Sequence, residues 1–241
     1  MSARRLLMVL PMTEPSTRLD PLNSPYPVPW TWVMTMVTEN PAQRSPILRY
    51  YRSPSLVSPD GCYAAYSRIQ LRIQPDPTQT QVASVLFLEN LKTGALQVIT
   101  ASSPLADNPF VSGDEAEHPG SIAMIIPIAW SKAGDRILAR EFESLFGTGL
   151  ASDYAVVWDQ HQSQAHTIAP TPVNYSNAIL LGWSQSDPDR VLFRAGHMGE
   201  EQWPVWAVNL HGQTVEADVG DRPVVFGELV NNIWTGPQAY R

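Results

Sequence analysis

Three times along this chain an apolar run closes on a serine, crosses a short turn containing Gly, Asp or Pro, and restarts as a second apolar run. The stretches are "LVSPDGCYAAYS" at 56–67, "IAWSKAGDRILAREF" at 128–142 and "LLGWSQSDPDRVLFRAG" at 180–196. Turn residues between two strand-like runs spell a β-hairpin, and a recurring hairpin limits the fold to sheet architectures. Each hairpin is followed by another strand–turn–strand pair: "VASVLFLENLKTGALQVIT" at 82–100, "DYAVVWDQHQSQAHTI" at 153–168 and "WPVWAVNLHGQTVEAD" at 203–218. Each unit therefore reads as four short strands. "SRIQLRIQ" at 67–74 sets Ile69, Leu71 and Ile73 on one face and Arg68, Gln70, Arg72 and Gln74 on the other, which is the period of a half-buried strand. Such sheets need cover, and stacking similar sheets about an axis supplies it. The expected class is all-β.

Composition agrees with many turns. The chain has 22 prolines and 14 glycines in 241 residues, and proline inside a helix or a central strand loses a hydrogen bond. The 44% hydrophobic content is enough for a sizeable core. A net charge of -7 argues against a general nucleic-acid surface. The single cysteine, Cys62, allows no internal disulfide and suits a reducing compartment. "MSARRLLMVLPMTEP" starts with positive charge, but its apolar stretch is short and cut by Pro11, unlike a secretory signal. No stretch reaches the roughly 20 apolar residues of a spanning helix, so a cytoplasmic chain without a membrane span is expected. Residues 13–29 hold five prolines and read as part of an extended arm, 1–29, ahead of a β domain at 30–241. "WTWVMTMV" at 30–37 alternates Trp with Thr and reads as a strand.

"SPDGCYAAYS" followed by "VLFLENLKTGALQVIT" resembles the repeat of TolB-like β-propellers, in which Ser-Pro-Asp-Gly joins the inner strands and an Asp/Asn-Leu-x-Thr-Gly turn joins the outer ones. "YAVVWDQHQSQAHTI" is similar to a WD-repeat blade, with Trp158-Asp159 closing the third strand. The likeness covers about 45–219 and implies a small or incomplete β-propeller with three four-stranded blades. Three blades fall short of the usual four to eight. Either "VVFGELVNNIW" at 224–234 joins "PWTWVMTMV" at 29–37 as a fourth, composite blade, or the ring stays open. An open ring would leave a sheet edge able to pair with another chain.

Candidate chemistry is sparse. The loop "ADNPFVSGDEAEHPG" gathers Asp107, Asp114, Glu115, Glu117 and His118, but its spacing matches no calcium motif. It reads as a solvated loop that could meet a partner. No Gly-x-Ser-x-Gly elbow occurs, the five histidines fall in no metal spacing, and "FGTGLAS" at 146–152 is not followed by a helix that would bind phosphate. No catalytic residue, metal ligand or cofactor is therefore assigned. Trp130 and Trp183 read as packing residues, whereas "GHMGEEQWPVW" at 196–206 offers Trp203 as a partner anchor. The expected function is a non-catalytic protein-interaction or scaffolding module. Its rim loops, 101–120 and 143–153, would meet a protein partner through Asp114, Glu115, Glu117, His118 and Trp203. The alternative is a small-ligand binder or hydrolase-type enzyme using a pocket at the central channel.

Overall fold

Each Ser-led hairpin opens a run of antiparallel neighbours, and the turn chemistry shows why. The structure is a computed structural model that describes residues 20–39, 45–110 and 118–230. Helix α1 (Trp30–Glu39) precedes the strands. The first meander contains β1 (Ile47–Arg52), β2 (Ser55–Val57), β3 (Tyr63–Ile73), β4 (Gln81–Asn90) and β5 (Leu96–Ile99). The second is β6 (Ser121–Trp130), β7 (Arg136–Leu145), β8 (Ala151–Asp159) and β9 (Gln164–Ile168). The third is β10 (Asn177–Ser184), β11 (Arg190–Gly196), β12 (Val205–Asn209) and β13 (Thr214–Glu216), after which come β14 (Pro223–Val224) and β15 (Glu228–Val230).

Two kinds of polar turn recur. At the β2–β3 corner the Ser58 hydroxyl donates to Asp60 Oδ1 (2.5 Å) and accepts from the Tyr63 amide (2.9 Å). At the β6–β7 corner Ser131 donates to Asp135 Oδ1 (2.6 Å) and accepts from the Arg136 amide (3.0 Å). The outer turns are closed by Asn90, Asp159 and Asn209, whose Oδ1 atoms accept from amides two to four residues further on. These short side chains replace the backbone partners that a tight turn leaves open.

The assembly of these strands corrects the propeller expectation. The protein is mostly β, but its strands form two open sheets. The ten-stranded sheet runs β15-β2-β3-β4-β6-β7-β8-β9, with β1 also on β3 and β5 also on β4. The five-stranded sheet runs β13-β12-β11-β10-β14. The first two meanders are joined where β4 meets β6 in parallel at Val82 and Ile122. TolB-like or WD-like blades closed around a ring are therefore not what this chain builds. Local turn signals specify which consecutive strands pair; they carry no information about a parallel contact between strands forty residues apart.

The fourth composite blade is also corrected. Residues Trp30–Glu39 form a helix, with the Val33 amide on the Pro29 carbonyl (3.2 Å). The Trp-Thr alternation spans too few residues to impose a strand. Spacing of three and four along the same stretch puts Val33 in the core, with Trp30, Met36 and Val37 packed against it. At the other end Pro223–Val224 pair with β10 and Glu228–Val230 pair with β2. Residues 231–234 lie outside the described residues.

Two apolar clusters hold the layers together. One, with Leu56, Ala65, Leu86, Leu88, Ile125, Trp130, Ile137, Val156 and Trp158, fills the space between the first and second meanders. The larger joins the second and third meanders to α1 and to the far end of β3 and β4. In it Trp30 meets Phe142 edge-on (centroids 6.1 Å apart). Within this packing lies a buried charge cluster. Arg140 Nε donates to Asp153 Oδ1 (2.8 Å), and its Nη1 donates to Asp20 Oδ2 and to the Tyr26 carbonyl (2.7 Å each). All three charged side chains are fully buried. Asp153 Oδ2 also accepts from the Leu180 amide (2.9 Å), so the cluster ties residues 20–26, β7, β8 and β10 together.

Candidate functional site

Three surfaces can be compared as sites. The first lies where the second and third Ser-led corners meet. A cavity of about 440 Å³ is bounded there by Lys132, Asp135, Arg136, Trp183, Gln185 and Phe226, among others. Its charges are largely engaged within the chain: Arg136 Nη1 donates to Asp189 (2.8 Å), and Asp135 holds Ser131 and approaches His161 (3.5 Å). Burial pushes the Asp135 carboxyl up, but the Ser131 hydrogen bond, helped by the Arg136 charge, holds it below its ordinary range. The third corner differs from the other two. Ser184 donates to Asp221 Oδ2 (2.6 Å), an acid thirty-seven residues away, which also accepts from the Gln185 and Ser186 amides (3.1 Å each).

That acid opens a strap. Residues 221–230 pass one strand of every meander: Pro223–Val224 on β10, Phe226 bridging to Trp130 of β6, and Glu228–Val230 on β2. The Phe226 carbonyl accepts from the Trp130 amide (2.8 Å), and the Trp130 indole donates to the Leu56 carbonyl (3.1 Å). Gly227 is required by this route. It has φ +107°, and a Cβ there would come within 2.8 Å of the Trp130 ring and 2.9 Å of the Val57 carbonyl. The indole N–H of Trp183, the counterpart of Trp130 in the third meander, has no hydrogen-bond partner among the described residues.

The second surface surrounds Trp203. Its indole donates to the His197 carbonyl (3.0 Å), and its ring lies on Gly196, where a Cβ would come within 2.5 Å of the ring. Trp203 is thus half-buried and fixed to its own loop. With Ile179, Arg194 and Glu200–Gln202 it lines an open groove of about 440 Å³. His118, another residue singled out in the sequence, is exposed beside the start of β6, and its carbonyl accepts from Gln81 Nε2 (3.0 Å). His118 and Trp203 belong to different meanders. Asp114, Glu115 and Glu117 lie outside the described residues.

In β7 and β8 lie buried acids that the sequence does not single out, of which Glu143 feels the His118 charge. Glu141 is fully buried; burial first, then the charges of Glu143 and Asp153, raise its pKa well above the usual carboxylate range. Its Oε2 has no hydrogen-bond partner among the described residues. Glu143 is raised by burial as well, while it accepts from the Leu105 amide (2.8 Å) and so anchors the loop after β5. Asp153 is pushed up to about 6, chiefly by burial and against the pull of Arg140. Tyr154 is pushed up to about 12 by burial and by the Glu143 charge. The signal for these residues was an Arg next to a Glu inside a strand whose neighbours are nearly all apolar. Among the described residues, no group of three or more His, Cys, Asp or Glu side chains is placed to hold a metal ion, and no helix is long and apolar enough to cross a membrane.

The third surface is the outer face of the first meander. Tyr66 stacks on Phe87 (5.5 Å), Arg52 lies over the Tyr66 ring (3.8 Å), and Tyr50 stacks with Phe110 (6.5 Å). Leu48, Tyr50, Leu96, Val98 and Phe110 are all exposed. Register puts Val98 opposite Phe87 and Leu96 opposite Glu89, on the same face as Tyr66 and Arg68.

Compared with known proteins, the chain matches no family model, and none of the curated proteins shows significant similarity to it.

Proposed function

We propose that this protein is a non-catalytic interaction module that docks a protein partner on the outer face of its first meander. The observation that carries this reading is that five exposed apolar or aromatic side chains share this one face: Leu48 and Tyr50 at the β1 end with Phe110 stacked on Tyr50, and Leu96 and Val98 on β5. Isolated exposed apolar residues are ordinary, but a grouped set on one rigid sheet is the usual mark of a contact surface. The sheet keeps these groups in place before binding, which lowers the ordering cost of association. The inner face of the same meander is already used against the second meander, which leaves the outer face open among the described residues.

The test is the double variant Leu96→Ser/Val98→Ser, compared with the parent by proximity labelling in the native cell and by thermal unfolding. The reading expects a reproducible protein neighbour that the variant loses, with the unfolding midpoint unchanged. Recovery of the same neighbours by both proteins, or of none by the parent, overturns it.

A further inference from the structure

The same face carries a concentration of positive charge. β1 and β3 pair from Ile47–Ile73 to Arg52–Arg68 and contain Arg49, Arg52, Arg68 and Arg72 with no Asp or Glu. The chain as a whole has a net charge of -7. Register sets Leu48 opposite Arg72, Tyr50 opposite Gln70 and Arg52 opposite Arg68, so all six side chains project from one face. β1 is also an edge: among the described residues its strand partner is β3 alone. The Leu48 carbonyl accepts from Arg49 Nη1 (3.1 Å), a side-chain contact on a backbone group of an edge strand. Arg52 and Arg72 keep contacts inside the chain. A partner would meet Arg68 and Arg72 on either side of Gln70, which faces Tyr50, with Arg52 held over the Tyr66 ring on the Glu89 side of the face and Arg49 at the strand edge.

We propose that the β1 edge accepts an extended, acidic segment of a partner protein as an added strand. The inference rests on the docking reading above and names the partner's chemistry. Main-chain hydrogen bonds to Ile47–Arg52 would supply affinity. Alternate carboxylates of the segment would lie beside Leu48, Tyr50 and Arg52 of β1 and face Arg68 and Arg72 across that strand, which supplies direction and choice of partner. A short acidic strand fits this surface better than a nucleic acid, whose long run of phosphates would also meet the repulsion of an acidic chain.

The experiment uses the full chain and a capped heptapeptide alternating Glu and Val. Its comparators are the Lys-Val heptapeptide, the Glu-Val heptapeptide with N-methylated amides, and a single-stranded oligothymidylate. Amide hydrogen exchange across residues 47–52 reports strand addition, and fluorescence titration reports affinity. The Glu-Val peptide should slow exchange in β1, and binding should weaken as salt is raised. Arg68→Gln should weaken binding about tenfold, equivalent to about 1.4 kcal/mol, with an unchanged unfolding midpoint. The Lys-Val and N-methylated peptides should do neither. Equal protection by either comparator, tighter binding of the oligothymidylate, or β1 amides already protected to the level of β3 without any probe overturns the proposal. If Leu96 and Val98 still govern the cellular neighbour while β1 ignores the acidic peptide, this inference falls and the docking reading stands.

Discussion

The first and second meanders follow the same four-strand plan, yet their burial differs sharply. β7 is buried from Ile137 through Ser144, on both faces, whereas β3, its counterpart in the first meander, alternates between half-buried and buried positions from Arg68 to Ile73. The second meander has an apolar layer on each side; the first has one inside and none outside among the described residues. The difference comes from neighbours, since the turn residues and strand pairing are alike. A repeated motif therefore fixes strand order, while position among the layers decides which copy is core and which is surface.

The largest expected effect breaks the doubly covered copy. Arg140→Leu leaves Asp20 and Asp153 buried with no cation between them, and should cost about 3–5 kcal/mol in urea unfolding. A cost under about 1 kcal/mol would mean that this interior is wetter than its packing implies. Matched truncations then sharpen the contrast. Leu138→Ala, fully buried in β7, should cost about 2–5 kcal/mol. Leu96→Ala, on the outer face of the first meander, should cost no more than about 0.5 kcal/mol. Equal losses would show that the outer face is covered after all.

The serine corners allow a smaller test. Asp221→Ala removes an acceptor shared by Ser184 and two amides and should cost about 1–2 kcal/mol, with faster amide exchange in β14 and β15. Asp60→Ala, within its own turn, should cost less and leave β14 and β15 unaffected.

The smallest effect is a pH trend. Glu141 has a raised folded-state pKa, so its ionised form costs stability above that pKa, and the cost fades as pH falls toward the unfolded value near ~4. Asp153, pushed up to about 6, acts in the same direction between about 6 and that unfolded value. Asp60, Asp135 and Asp221 have lowered values and act oppositely: their contributions are present above ~4 and are lost as pH falls through their folded pKa. The unfolding midpoint should therefore rise on mild acidification through about pH 6 and fall only in stronger acid. Glu141→Gln should flatten the rise by raising the midpoint at the alkaline end.

These contrasts also show what the sequence could reveal. Hairpins were legible because their signals are local: Ser58 and Asp60, or Asn90 and Gly94, act within a few residues. The outer face was legible too, since the alternation at 67–74 alone separates Arg68, Gln70 and Arg72 from Ile69, Leu71 and Ile73. The contact of Val82 with Ile122 was not legible, because nothing in either strand marks its parallel neighbour. The brief Trp-Thr alternation was too short to distinguish a strand from α1. Of the proposed contact residues, Trp203 proved to be tied to Gly196 and His197 within its own loop, a constraint hidden in the backbone route rather than in composition.

The strap at 221–230 has a consequence for biogenesis. A ribosome delivers β2 and β6 long before it delivers Phe226 and Leu229, so the nascent polypeptide holds both strands with uncapped inner edges until the strap is made. Chaperone demand should peak in that interval and end when the strap emerges.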